Sequence, residues 1–152
     1  MNNFLAEKLG SMFANALTEV ISVTMGQTVS VLSSADDTEF YRMSGAMVLN
    51  GRKPGILFIS AEESVIRGLF SNMTGIKEGI EKGDINDMMW ELVNMTAGNA
   101  KLRFSDPDYI FDYSSPFIIE GDNASIIVKR MSAMISRTVG NEDFRIKLKI
   151  VY

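Results

Sequence analysis

The chain has 152 residues, 46% of them hydrophobic and 22% charged, which supplies apolar material for one self-folding domain and leaves no compositional bias toward disorder. A net charge of -4, with no Lys/Arg stripe to neutralise phosphates, argues against nonspecific nucleic-acid binding. With neither histidine nor cysteine, the chain lacks the commonest general base, every Ser-His-Asp or Cys-His arrangement, a thiolate nucleophile and the usual ligands of catalytic zinc. Catalysis would have to use carboxylates, amides, hydroxyls or a partner's groups.

The opening Met1-Asn2-Asn3, with Glu7 and Lys8 close behind, lacks the basic start and unbroken apolar stretch of a signal peptide. No apolar run reaches membrane-spanning length, and eleven methionines suit a reducing interior, so a cytoplasmic location is expected. From Asn3 to Thr24, Leu5, Leu9, Met12, Phe13, Ala16, Val20 and Val23 recur at three and four spacing, which predicts an amphipathic helix closed by Gly26. Strand-like runs follow at Thr28 to Leu32, Phe40 to Leu49 and Gly55 to Ile59. Asp36-Asp37 is expected to form the first turn and Asn50-Gly51 a hairpin turn. Ser60-Ala61-Glu62-Glu63 reads as a capping box that launches a short helix ending near Gly75.

The second half repeats this order. A long helix is predicted from about Asp84 to Phe104, then strands at Tyr109 to Tyr113, Phe117 to Glu120, Ser125 to Lys129, Ala133 to Val139 and Phe144 to Val151. Two helix-then-strands units with no linker between them predict one domain over 1–152: an internally duplicated α+β fold with long helices on a largely antiparallel sheet. No glycine-rich phosphate cradle of the P-loop or dinucleotide type occurs.

The long second helix is apolar in nearly every direction, through Ile85, Met88, Met89, Trp90, Leu92, Val93, Met95 and Ala97. Trp90 and Met88, Met89, Met95, Met131 and Met134 are expected to fill the core. Asp87, Glu91, Asn94 and Gly98 break the pattern at four, three and four spacing, which places them on one narrow line. Asn94 is a poor choice for helix stability, and Gly98 costs about 1 kcal/mol relative to Ala in mid-helix. An acid, an amide one turn on and a small residue beyond form a docking line for a partner that carries its own reactive group. A second reading stands beside it. If Asp84 is the N-cap, Asp87 falls at the third helical position, where a carboxylate meets the helix dipole, and Glu91 and Asn94 form a wet helix face. Asp84, Asp87 and Glu91 lie on one helix with no loop to wrap a cation, so no metal site is expected.

The string Asp87-x3-Glu91-x2-Asn94, followed by Pro116, resembles the signature of the CheC/CheX/FliY chemotaxis phosphatases, although the step from Asn94 to Pro116 is one residue short of the family's. The two helix-then-strands halves, the Lys53-Pro54-Gly55 entry to a strand and the segment Pro116-Phe117-Ile118-Ile119-Glu120-Gly121 extend the resemblance along the whole chain. CheC-type members carry a second Glu/Asn pair in the first helix. Here Ser11-x3-Asn15-x2-Thr18 stands in that place without the acid, so the resemblance is to the CheX branch, with one site per chain.

The resemblance implies a CheC-like fold and a phosphatase acting on an aspartyl-phosphorylated CheY-like response regulator. It assigns Asn94 to orienting the attacking water and Glu91 to pairing with the regulator's lysine, and makes Asp87, Gly98 and Pro116 partner-binding residues. It further implies Mg2+ supplied by the regulator, with no cofactor bound by this chain, and a homodimer. The competing class is a noncatalytic adaptor or sink for a response regulator, or a flagellar-switch-like interaction domain of the same fold.

Overall fold

The computed structural model describes residues 1–33, 39–129 and 133–152; the expected turn at Asp36-Asp37 and the expected core residue Met131 lie outside them. Helix α1 (Asn3–Glu19) opens on Asn2, whose side chain accepts from the Leu5 N–H at 2.8 Å. It runs into a π-helical turn at Val20–Thr24, and Gly26 ends it with φ +66°. Strands β1 (Ser30–Ser33), β2 (Met43–Gly51) and β3 (Gly55–Ala61) precede α2 (Glu63–Thr74), which Gly75 terminates in the left-handed conformation. The second half holds α3 (Lys82–Lys101), β4 (Phe111–Tyr113), β5 (Phe117–Glu120), β6 (Met134–Gly140) and β7 (Arg145–Val151).

The strands form one seven-stranded sheet ordered β1-β6-β7-β3-β2-β4, with β5 also pairing with β2, and every pairing is antiparallel. Exchanging the corresponding strands of the two halves turns this order into its own reverse, as expected of a pseudo-twofold axis between β3 and β7. The first strand of each half pairs with the middle strand of the other. The predicted α+β class and duplicated order are therefore present.

Helices α1 and α3 lie together on one face of the sheet, and α2 packs against α3. Between helices and sheet sits the main core, in which Phe13, Leu17, Met47, Leu57, Ile59, Met89, Val93 and Leu148 are fully buried. Phe13, Phe104 and Phe111 join α1, the end of α3 and β4, with ring centroids 5.3 to 5.7 Å apart. The far face carries a smaller cluster around Ala46, Phe58 and Val151.

Several local expectations give way to tertiary context. Ser60 caps no helix: it lies buried in β3, accepts from the Tyr41 N–H at 2.8 Å and bonds the Ser44 hydroxyl at 2.9 Å. Glu62 is the N-cap of α2 and makes no side-chain cap bond. Asn50 and Gly51 belong to β2, where they pair with Asp112 and Phe111 of β4, and the β2–β3 chain reversal falls beyond them. A Cβ on Gly51 would lie 2.4 Å from the Ile110 carbonyl oxygen, so this glycine serves strand approach. Residues 125–129 form no strand. Ile126 and Val128 do alternate inward, but onto the far-face cluster, while Ile127 is 92% exposed. Alternation reports which side is buried and does not distinguish a strand in a ladder from a segment laid across a sheet's face.

The position of α3 depends on β2. A Cβ on Gly45 would fall 2.5 Å from Val93 Cγ2 and 2.9 Å from Met89 Cγ, and both side chains are fully buried with no free space to retreat into. Gly45→Ala is expected to destabilise the protein by about 1–3 kcal/mol through overpacking, although Ala is the better strand residue. Urea unfolding measures this, and an unchanged midpoint would show that α3 is not held at this contact.

Candidate functional site on the third helix

Helix α3 begins with a reciprocal capping box. The Asp84 carboxylate accepts from the Glu81 N–H at 2.8 Å, while the Glu81 side chain accepts from the N–H of Asp84. The N-cap is therefore Glu81, not Asp84, and Asp87 stands a turn deeper than the third helical position. That placement removes the capping explanation for Asp87, because dipole and free amides act within the first turn. Lys82 pairs with Glu63 at 3.1 Å and with Glu120, tying the start of α3 to α2 and β5. The hydrogen bond that Lys82 donates to Glu120, with the one it donates to Glu63, raises the Lys82 pKa above its ordinary value and keeps it cationic.

The inward side of α3 consists of Ile85, Met88, Met89, Leu92, Val93, Thr96, Ala97 and Ala100, all buried. Thr96 reaches this set by returning its hydroxyl to the Leu92 carbonyl at 2.7 Å. Asp87 and Glu91 are exposed, and Asn94 and Gly98 are half-buried on the same line. Among the described residues, neither the Asp87 and Glu91 carboxylates nor the Asn94 amide has a hydrogen-bond or ion-pair partner within the chain. An acid and an amide one turn apart are therefore presented outward, free to engage groups from outside.

Gly98 has a partner of its own. A Cβ there would lie 3.3 Å from the Tyr113 hydroxyl, and Tyr113 also lies under Lys101, whose Nζ is 5.9 Å from the ring centroid. Lys101 in turn pairs with Asp112. Strand β4 is thereby fixed beside the C-terminal half of α3, as Glu120 of β5 is fixed beside its start. Pro116 lies in the three-residue link between these strands, where the Ser114 hydroxyl accepts from the Val48 N–H at 3.1 Å.

One expectation fails in this region. Trp90 does not fill the core: it is 38% exposed and stands outward between Asp87 and Asn94. The all-round apolar character of α3 concealed this, because periodicity cannot say which of many apolar directions is left over. Among the described residues no three acidic side chains are arranged to hold a metal ion, the Asp84/Asp87/Glu91 set included, and no helix is long and apolar enough to cross a membrane.

Gly98→Ala is expected to raise stability by up to about 1 kcal/mol, because the atom it meets is the tip of a Tyr113 side chain 39% exposed and able to yield. Denaturant unfolding checks the sign. A loss of stability would show that Tyr113 is locked over the helix.

A family model described as chemotaxis phosphatase CheX matches residues 43–138, which contain all of α3 and Pro116. No curated protein sequence matches significantly. Among solved structures, the chain resembles the chemotaxis protein CheX from Vibrio vulnificus at 20% identity and a TM-score of 0.81, covering 95% of this chain and 98% of that one. A CheC-like superfamily protein from Shewanella sp. PV-4 matches at 24% identity and TM-score 0.79, over 99% and 98% of the two chains. The structure of a CheX-CheY-BeF3-Mg2+ complex from Borrelia burgdorferi matches at 17% identity and TM-score 0.75, over 93% and 95%. At these identities the structural likeness is one of fold.

Proposed function

The chain belongs to the CheX family of chemotaxis phosphatases, and on that premise we propose that residues 1–152 act as one domain that hydrolyses the aspartyl phosphate of a CheY-like response regulator. The observation that carries the residue assignment is the outward line on α3, where Glu91 and Asn94 stand unengaged on a helix whose other faces are buried.

Asn94 would enter the regulator's active site and hold water in line with phosphorus. An amide donates and accepts hydrogen bonds at once and does not titrate, so it fixes the water's orientation without removing its proton in advance. The water oxygen bonds to phosphorus as the bond to the aspartyl oxygen breaks, releasing inorganic phosphate and restoring the carboxylate. Such a transition state is loose, and positioning supplies much of the acceleration. The Glu91 carboxylate would pair with the regulator's lysine and fix the angle at which Asn94 enters. The relative from Borrelia burgdorferi was solved with CheY, BeF3 and Mg2+, and BeF3 is a phosphoryl mimic. By analogy, the charge-neutralising Mg2+ here would be the regulator's. Asp87 would widen the acidic contact, and Gly98 with Pro116 would leave the regulator's backbone room to approach Asn94. A cytoplasmic location follows from this partner.

Loss of aspartyl phosphate from a CheY-like regulator, followed with Mg2+ present, is the direct test. Asn94→Ala is expected to lower turnover by about 100-fold or more, the scale on which a lost positioning group acts, while regulator binding stays within a few-fold. Glu91→Ala is expected to weaken both. Binding by the wild-type protein without any acceleration of phosphate loss would replace the enzyme with an adaptor.

The homodimer expected for this family would use the sheet edge at β1, whose outer side is unpaired among the described strands and whose Val31 and Leu32 are each about two-fifths exposed. Sedimentation equilibrium is expected to give twice the chain mass, and Val31→Lys to shift it toward the monomer. A wild-type protein that is monomeric at 100 μM, on the order of working concentrations for such assays, would remove the dimer.

A further inference from the structure

We infer that Trp90 is the anchor by which the phosphorylated regulator docks on α3, an inference that rests on the phosphatase reading and adds to it a residue that makes affinity, where Asn94 makes rate. Trp90 is 38% exposed, while Met89, Leu92 and Val93 beside it are fully buried. Its exposure has a definite address. It follows Asp87 by three residues and precedes Asn94 by four, so the indole flanks the polar line beside these two residues.

Long side chains on a helix lean toward its N-terminus, over the preceding turn. The Trp90 ring is therefore carried toward Asp87 and away from Asn94, which leaves the amide uncovered. The patch reads as an apolar ring flanking the polar line, one turn from the unpaired Asp87 carboxylate on one side and from the working amide on the other.

That combination specifies its occupant. The carboxylates require a cationic group on the partner and the indole requires an apolar recess beside it, and the regulator proposed above brings a lysine to this spot. Tryptophan is the residue most often found to dominate such contacts, because a large rigid surface is desolvated with little loss of side-chain freedom. Leu102, 87% exposed at the end of α3, adjoins neither Glu91 nor Asn94 and serves as the comparison.

The experiment measures binding of a CheY-like regulator loaded with beryllofluoride and Mg2+, together with steady-state dephosphorylation, for the wild type, Trp90→Ala, Trp90→Phe, Leu102→Ala and Asn94→Ala. Trp90→Ala is expected to raise Kd and KM by about 10- to 30-fold with kcat within about twofold, Trp90→Phe to fall between, and Leu102→Ala to match the wild type. Since Trp90 is the chain's one tryptophan, its fluorescence gives a readout in the unmutated protein. Acrylamide quenching is expected to fall when the loaded regulator, its own tryptophans replaced by phenylalanine, is added. Unchanged quenching, or a Trp90→Ala affinity within twofold of the wild type, would overturn the anchor. If Asn94→Ala retains full turnover while Trp90→Ala weakens binding, the catalytic assignment falls and the docking surface stands. If Asn94→Ala is inactive while Trp90→Ala binds normally, the docking inference alone falls. A wild-type protein that binds no loaded regulator removes both.

Discussion

Gly45 has no side chain, and that absence allows α3 to settle onto β2 with Val93 and Met89 occupying the space a Cβ would need. Close packing transmits position, because a core at crystal-like density leaves little slack between a strand and the helix above it. The helix cannot roll about its axis without lifting these two side chains off the strand, so the direction in which Asn94 points is set by the sheet. The ends are fixed separately, by Lys82 with Glu63 and Glu120 at the start and by Tyr113 and Lys101 with β4 near the finish. These exposed ion pairs add little stability; their contribution is to the register of β4 and β5 along α3.

A site held this firmly suits a protein with neither histidine nor cysteine to offer. The proposed phosphoryl transfer to water asks for alignment and for charge neutralisation, and in that proposal a rigid helix supplies the first through an uncharged amide. An amide on a loop would lose its advantage to conformational freedom; on α3 its backbone is fixed by buried neighbours on both sides. The exposed line is correspondingly short, since each further polar residue on α3 would remove apolar contact from the packing that holds the helix in place. In the proposed docking Trp90 fits that economy, since a single side chain 38% exposed provides the contact area.

The polar line was legible in the sequence because a spacing of four, three and four projects onto one helix face whatever the surroundings, and the duplicated order of elements was legible because amphipathic helices and short strands alternate with clear breaks. What the sequence concealed depended on distant contacts. Ser60 offers the same hydroxyl to a helix start or to a buried strand, and only the arrival of Tyr41 and Ser44 decides between them. Asn50-Gly51 suits a turn, yet it is the pairing with β4, sixty residues on, that keeps both in the strand. Trp90 is an apolar residue on an apolar helix, and its exposure follows from how α3 is seated on β2. The Glu81/Asp84 capping box was readable in principle, since the two acids stand three apart at the start of the helix, but Asp84 alone also satisfied the pattern.

The pseudo-twofold order sets α1 where α3 would lie in the other half, and the spacing Ser11, Asn15, Thr18 repeats that of Asp87, Glu91, Asn94. The two lines are nevertheless put to different use. Thr18 turns its hydroxyl onto the Ala14 carbonyl at 2.8 Å, so it is already satisfied within its own helix. At the position corresponding to Trp90 stands Ala14, fully buried, and the helix ends in a π turn. Where α3 is seated by a glycine in the strand, α1 is seated by a glycine of its own: Gly10 makes room for Arg137 of β6, whose guanidinium lies 2.6 Å from where a Cβ would be and bonds Glu7 at 2.9 Å. Arg137 is 6% exposed and must keep its carboxylate, because a buried cation without a partner is costly. The repeated helix is thereby committed to holding the sheet together, and the same backbone plan yields one helix that clamps and one that presents. The difference is made by side chains alone: an arginine clasp and a buried alanine on one side of the axis, an exposed tryptophan and an unengaged amide on the other.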